Sequence, residues 1–218
     1  MRTPATEDYL KTVYKLADTN EVVATNAIAE RMGVSAASVT NMMKKLSEMG
    51  LVEYVRYQGI ALTEAGCKIA LEIIRHHRLL EVYLAEAMGF GWDQVDAEAE
   101  RLEHVISEEF EDKMDEMLGY PTTDPHGSPI PKKDGTIARA EHEALVNIKP
   151  GHSVIIRRVP DSDPAVLRYL GELGLKPDAT VAVLKKEPFD GPLLLRIGDR
   201  EHHIGHQTAH GVLVDCLE

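Results

Sequence analysis

The chain has 218 residues, 44% of them hydrophobic and 28% charged, with a net charge of −12 at pH 7. That length suits one large or two to three small globular domains with cores of their own. No run of about 18 apolar residues marks a membrane span, and the acidic-polar amino terminus lacks a secretion signal, so a cytoplasmic protein with no membrane partner is expected. Cys67 and Cys216 are too few and too far apart for a disulfide framework or a Cys-rich zinc site.

The acidity is uneven. Residues 1–60 carry seven Lys/Arg against seven Asp/Glu, whereas residues 61–120 carry five against fifteen. The amino-terminal segment is therefore free to meet a polyanion, and the middle segment is not.

From Thr6 to Ala17, apolar residues recur at helical spacing behind Pro4, with Glu7 and Asp8 in the first turn. Thr25 is placed to cap a short second helix closing at Gly33. Ser35 caps a third, carrying Val39, Met42, Met43 and Leu46, that stops at Gly50. Two short helices around Met32-Gly33-Val34-Ser35 make a helix-turn-helix. The strand formers of 51–57, a Gln58-Gly59 turn and Ile60-Ala61-Leu62 then read as the hairpin of a wing. In such a module the third helix enters the major groove. Its outward residues here are Ser35, Ala36, Ala37, Ser38, Thr40, Asn41, Lys44 and Lys45. Asn41 suits adenine, Thr40 and the alanines suit a thymine methyl, and Lys44, Lys45 and Arg56 suit phosphates.

Residues 63–88 form a long amphipathic pattern ended by Gly89-Phe90-Gly91, and a second long helix is expected from Asp93 to Leu118. Two such helices bury a shared seam, and a homodimer interface is a natural use for it. If the second is continuous, Glu100, Glu103 and His104 stand on one face within a turn and offer two carboxylates and an imidazole to a divalent cation. A solvated acidic face is the plain alternative. On the first helix His77 and Glu81 share a face, while His76 points elsewhere.

With the winged-helix pattern, His77-Arg78-Leu79-Leu80-Glu81, Glu100-x-x-Glu103-His104 and Gly127-Ser128-Pro129-Ile130-Pro131 in this order, the chain resembles the diphtheria-toxin-repressor family of metal-dependent transcriptional regulators. The resemblance covers most of the chain. It implies an α+β protein: a winged helix-turn-helix over residues 1–70, an all-α dimerisation and metal-binding domain over 71–140, and a small SH3-like β-barrel over 141–218. It also implies two adjacent metal positions. The primary one falls on Asp8, Glu100, Glu103 and His104. Where the iron-responsive branch has Met and Cys, this chain has Asp8 and Glu100, and a shell of three carboxylates and one imidazole suits Mn2+, with Fe2+ as the alternative. Zn2+, Co2+, Ni2+ or Cd2+ are expected to substitute in vitro. The short manganese regulators carry a further carboxylate where this chain has Lys11. The ancillary position falls on His77, Glu81 and Asp96, with Asp161 and Asp163 as candidate additions, and Arg78 and Ser128 match an anion site. The implied activity is repression of metal-uptake genes through a palindromic operator bound by a homodimer, with two dimers per operator as one arrangement. Repression of iron-homeostasis genes by Fe2+ is the alternative.

Pro and Gly residues between Tyr120 and Gly135 mark a linker, and a short helix is expected around Ala138 to Val146. Beyond Ser153, about five short strands interrupted by a helix from Ala165 to Leu173 suggest a small barrel. His202, His203, His206 and His210 have no matching carboxylate nearby and read as surface residues. An enzyme is not expected: the inverted zinc-peptidase pattern needs a histidine at Glu100, and a di-iron bundle needs its Glu-x-x-His pair where Arg101 precedes His104 by three. A winged-helix regulator answering an organic ligand is the other reading.

Overall fold

The computed structural model describes residues 2–17, 22–55, 58–138 and 141–217. Two compact units emerge, one made of Met1–His77, Leu102–Glu108 and Pro131–Ile137, the other of Arg78–Arg101, Glu109–Ile130 and Ala138–Glu218.

In the first unit, α1 (Pro4–Ala17), α2 (Thr25–Met32) and α3 (Ala36–Glu48) pack over the hairpin of β1 (Val52–Val55) and β2 (Gly59–Leu62). Their apolar stripes make one core, in which Leu10, Val13, Ile28, Val39, Met43, Leu46 and Ile60 are fully buried. Thr25 is the first helical residue of α2 and not its cap; Ala24 holds the cap position without a side-chain bond. Gly33 ends the helix in the left-handed region with φ 66°, which a side chain would resist. Ser35 does cap α3, its hydroxyl accepting from the Ser38 amide. A bridge between Val23 and Ile60 ties the α1–α2 segment to the wing. At Gly59 a Cβ would come within 2.0 Å of Val22 Cγ1, so this close approach admits only glycine. Arg56 lies outside the described residues.

The Thr63 hydroxyl accepts from the Gly66 amide and opens α4 (Glu64–Glu86), about 35 Å long at the α-helical rise. The single helix expected over 93–118 is instead two, α5 (Val95–Leu102) and α6 (Glu108–Met117). Glu103, His104 and Val105 form a turn. A tertiary bond accompanies the break. The Glu103 carbonyl accepts from His76 Nδ1 at 3.1 Å, so His76 points into this turn. β-branched Val105 and Ile106 then discourage helix until Ser107, a residue type that favours helix starts, precedes α6.

The carboxyl-terminal part of the second unit is a six-stranded antiparallel sheet in the order β3-β8-β4-β5-β6-β7. These strands are β3 (Glu143–Ala144), β4 (Ser153–Arg158), β5 (Thr180–Lys186), β6 (Leu193–Ile197), β7 (Arg200–Ile204) and β8 (Leu213–Cys216), with α7 (Pro164–Leu173) and α8 (His206–Gly211) between them. β4, β5 and β6 send two residues each, and β8 sends Val214, into a core completed by Leu167 and Leu170 of α7. The helix expected over 138–146 does not form among the described residues. Glu143 and Ala144 pair with Val214 and Leu213, and Leu145 and Val146 enter the core through a 3-10 turn. Among the described residues no helix is long and apolar enough to cross a membrane.

Candidate metal centre

The apolar stripe of α1 turns Tyr9, Leu10 and Val13 inward, and the same rotation carries Glu7, Asp8 and Lys11 to the turn that follows α5. There His104 lies between two carboxylates, its Nδ1 donating to Glu7 Oε2 at 2.6 Å and its Nε2 at 2.8 Å from Asp8 Oδ1. Glu103 is fully buried. Its two carboxylate oxygens each accept from Lys11 Nζ at 2.7 Å, and Oε2 is 2.5 Å from His77 Nδ1. Burial alone would push the Glu103 carboxyl up, but the bonds and charges of His77 and Lys11 hold it below the ordinary carboxylate range. Glu7 is anchored from behind by Arg2, which also bonds Glu72.

Asp8, Glu103 and His104 each place one ligand atom within 4.8 Å of the others. Two carboxylate oxygens and an imidazole nitrogen so gathered fit a hard or borderline divalent cation. They do so through a turn docked on α1, not through the single helical face that the spacing suggested. Glu100 is exposed on α5 and belongs to the second unit, as do Glu81 and Asp96.

The second unit holds its own candidate. Glu81, Asp124 and His126, all buried, each bring one ligand atom within 4.8 Å of the others. Asp124 and His126 escaped the sequence reading because they sit in what looked like a Pro/Gly linker. The segment is in fact a tight turn, with Thr123 bridged to Pro129 and the Asp124 carboxylate accepting from the amides of His126 and Ser128. The only hint was the alternation Asp124-x-His126-x-Ser128. His126 donates from Nε2 to the Trp92 carbonyl at 2.7 Å, which aims Nδ1 at Glu81 Oε1, 3.5 Å away. Against burial, which would lower it, the Glu81 and Asp124 carboxylates raise the imidazole to about 9. Burial and Glu81 raise Asp124 to about 6. Asp124 Oδ2, His126 Nδ1 and Ser128 Oγ are buried with no hydrogen-bond partner among the described residues. Asp124 Oδ2 and Ser128 Oγ are acceptors that a cation would satisfy, and His126 Nδ1 would join them once it gives up its proton.

The remaining candidates divide. A carboxylate oxygen of Asp96 lies within 4.8 Å of one of Glu81's. Asp161 is near enough to Arg78 to favour its charge. Asp163 instead caps α7, accepting from the Ala165 amide at 2.8 Å, and joins no ligand cluster among the described residues. Arg78 faces Asp124 at 3.5 Å and donates to the Pro129 carbonyl, beside Ser128. On α3, Ala37, Ser38, Asn41, Lys44 and Lys45 are exposed, whereas Ser35 and Thr40 commit their hydroxyls to the helix itself, Thr40 donating to the Ala36 carbonyl.

The chain matches three family models in succession: the iron-dependent repressor N-terminal DNA-binding domain over residues 1–60, the iron-dependent repressor metal-binding and dimerisation domain over 63–132, and the FeoA domain over 144–216. It is 31% identical to the iron-dependent repressor IdeR of Mycobacterium leprae across 96% of each chain. The transcriptional regulator MntR of Oceanobacillus iheyensis is 33% identical over 55% of this chain and 81% of its own. A manganese-dependent transcriptional repressor solved in complex with manganese superposes with a TM-score of 0.90 at 35% identity, covering 97% of this chain and all of that one. The chain is therefore a member of the diphtheria-toxin-repressor family of metal-dependent, DNA-binding transcriptional regulators, with the SH3-like carboxyl-terminal domain, and it is not an enzyme.

Proposed function

We propose that the protein is a cytoplasmic, Mn2+-responsive repressor of metal-uptake genes that binds a palindromic operator as a homodimer, with one or two dimers on each operator. The reading rests above all on one observation: Asp8, on the first helix of the DNA-binding module, meets Glu103 and His104 of the metal-binding segment. Glu100 is assigned to the same set. A divalent cation supplies the positive charge that clustered carboxylates require. Asp8 then holds α1 against the Glu103–His104 turn, Glu7 fixes the His104 ring, and the orientation of α1 fixes that of α3 through their common core. Because metal would favour the DNA-competent arrangement, DNA must in turn tighten metal binding.

Oxygen-rich donors favour Mn2+ over softer ions, and no sulfur ligand is present in either cluster. The full-length likeness to an iron-dependent repressor favours Fe2+ as the second reading. Glu81, Asp124, His126 and, by its place near Arg78, Asp161 are assigned to the ancillary site, with Asp96 beside Glu81; the family resemblance adds His77. The dimer seam is assigned to α6 and its flanks, where Phe110, Met117 and Tyr120 are exposed apolar residues and Tyr83 meets Phe110 edge to face.

Operator retardation with Mn2+, Fe2+ and Zn2+ each held at buffered free concentrations tests the reading. Mn2+ should promote binding within its cellular range and Asp8→Ala or Glu103→Ala should abolish the dependence. Undiminished metal response in both variants would refute it.

A further inference from the structure

Lys11 occupies an unusual position for a lysine. Its side chain is 7% exposed, and its ammonium bonds both oxygens of a carboxylate that is itself fully buried, at 2.7 Å each. A cation chelated by Glu103 would present the same positive charge to the same two oxygens. Lys11 stands three residues after Asp8 on α1, so the ammonium and any ion shared by Asp8, Glu103 and His104 draw on one carboxylate from neighbouring directions.

We propose that Lys11 is an internal cation that competes with the metal for Glu103 and thereby sets the free-metal concentration at which the amino-terminal site fills. The inference rests on the assignment of Asp8, Glu103 and His104 as metal ligands. Two costs make the competition energetic and not merely geometric. Burying an ammonium is unfavourable unless a carboxylate compensates it, so displacing Lys11 from Glu103 strips a buried charge of its partner. Leaving it in place instead puts a positive charge beside the incoming ion. Either way the metal-free chain is stabilised relative to the loaded one, and apparent affinity falls by that difference. In the metal-free chain the same pair holds α1 to the turn after α5. Metal binding would therefore exchange one tether between these segments for another and not create the first.

A buried ion pair with only a structural role would support both states alike, and its removal would leave metal affinity where it was. The experiment uses the full chain with Lys11→Met, which keeps the stem and removes the charge, and Lys11→Gln as a second variant should Met fold poorly. Mn2+ alone, at buffered free concentrations, is titrated by the loss of its free-ion EPR signal, and thermal midpoints are recorded with and without Mn2+. Asp8→Ala in each background identifies the events that belong to this site. The expected result is at least tenfold tighter Asp8-dependent Mn2+ binding in Lys11→Met, a lower midpoint without metal, and a larger metal-induced rise. Asp8-dependent binding that is unchanged or weaker in both variants overturns the role of Lys11 and leaves the ligand assignment standing. Absence of any Asp8-dependent binding in the unaltered chain overturns both.

Discussion

The Nδ1 of His104 donates to Glu7 Oε2 at 2.6 Å, so a carboxylate one residue before Asp8, the proposed ligand, decides which nitrogen of the ring faces Asp8. With Nδ1–H committed to Glu7, Nε2 is the nitrogen available to a cation. Carboxylate-oriented imidazoles of this kind hold both tautomer and ring plane. Glu7 is buried and kept in place by Arg2, so the device is assembled from three side chains and not from an exposed chance contact.

Glu7→Ala should therefore weaken Mn2+ binding at the Asp8 site by roughly 10- to 100-fold while leaving the number of ions per chain unchanged. Glu7→Gln, which still accepts from Nδ1, should lose less. A metal-buffered titration checks both, and a Glu7→Ala chain with unaltered affinity would mean that the ring orients itself without help.

The second cluster gives a pH dependence whose sign can be worked out. His126 is raised from 6.5 to about 9 in the folded, metal-free chain. The stability it contributes is therefore complete below about pH 6.5 and is lost as the pH climbs through 9. Asp124, raised from 3.8 to about 6, acts in the same direction over a lower window. The metal-free chain should lose about 3 kcal/mol of stability from His126 between pH 6.5 and 9 as an order of magnitude. In His126→Gln that part of the profile should flatten. Metal affinity at this cluster should move the opposite way, rising with pH, because the Nδ1 proton must leave before a cation is bound. Denaturant melts across the range, with and without Mn2+, measure both slopes, and identical profiles in the two proteins would sink the assignment.

Much of the fold is legible in the sequence because it follows from periodicity and caps. Ser35, Gly33 and the 3.6-residue stripes of α1 and α3 locate the helix-turn-helix without further information. The residues proposed as primary ligands are named for a different reason. Asp8 lies more than ninety residues from Glu103 and His104 in sequence, and no local pattern joins them; only the resemblance does. Periodicity misled at the junction itself, since a run as helical in composition as 93–118 is broken where a tertiary bond from His76 reaches the Glu103 carbonyl. Asp124 and His126 stayed hidden because a turn has no period. Asp163 shows the converse failure: an aspartate near the right place whose carboxylate instead caps α7.

Gly127 is where backbone and ancillary cluster meet. It adopts φ 89°, and a Cβ there would come within 1.9 Å of the Arg157 carbonyl oxygen on β4. Because that atom is backbone, relief requires the Asp124–Ser128 turn or the strand to move. Gly127→Ala should cost about 2–4 kcal/mol by the usual scale for strained positions. It should also weaken metal binding at Glu81, Asp124 and His126 more than at the Asp8 site. Chemical denaturation paired with site-resolved metal titration reads the two effects separately; a fully stable variant with unaltered ancillary binding would show that the turn yields easily.

The exposed residues of α3 divide by what their side chains are free to do. Asn41, Lys44 and Lys45 project outward, whereas the Thr40 hydroxyl donates to the Ala36 carbonyl and Ser35 holds the helix cap. Lys44→Ala and Lys45→Ala should each weaken operator and unrelated DNA alike and lower the salt slope of binding by about one, because a phosphate contact releases a counterion whatever the sequence. Asn41→Ala should cost about 1–3 kcal/mol on the operator and much less on unrelated DNA, as loss of a bidentate base contact does. Thr40→Val, which removes a hydroxyl already engaged by the helix, should have the smallest effect of the four. Fluorescence anisotropy of an operator duplex at saturating Mn2+ over a series of salt concentrations separates these outcomes. Were Asn41→Ala to weaken both duplexes equally, the base-reading residue would have to lie elsewhere on this face.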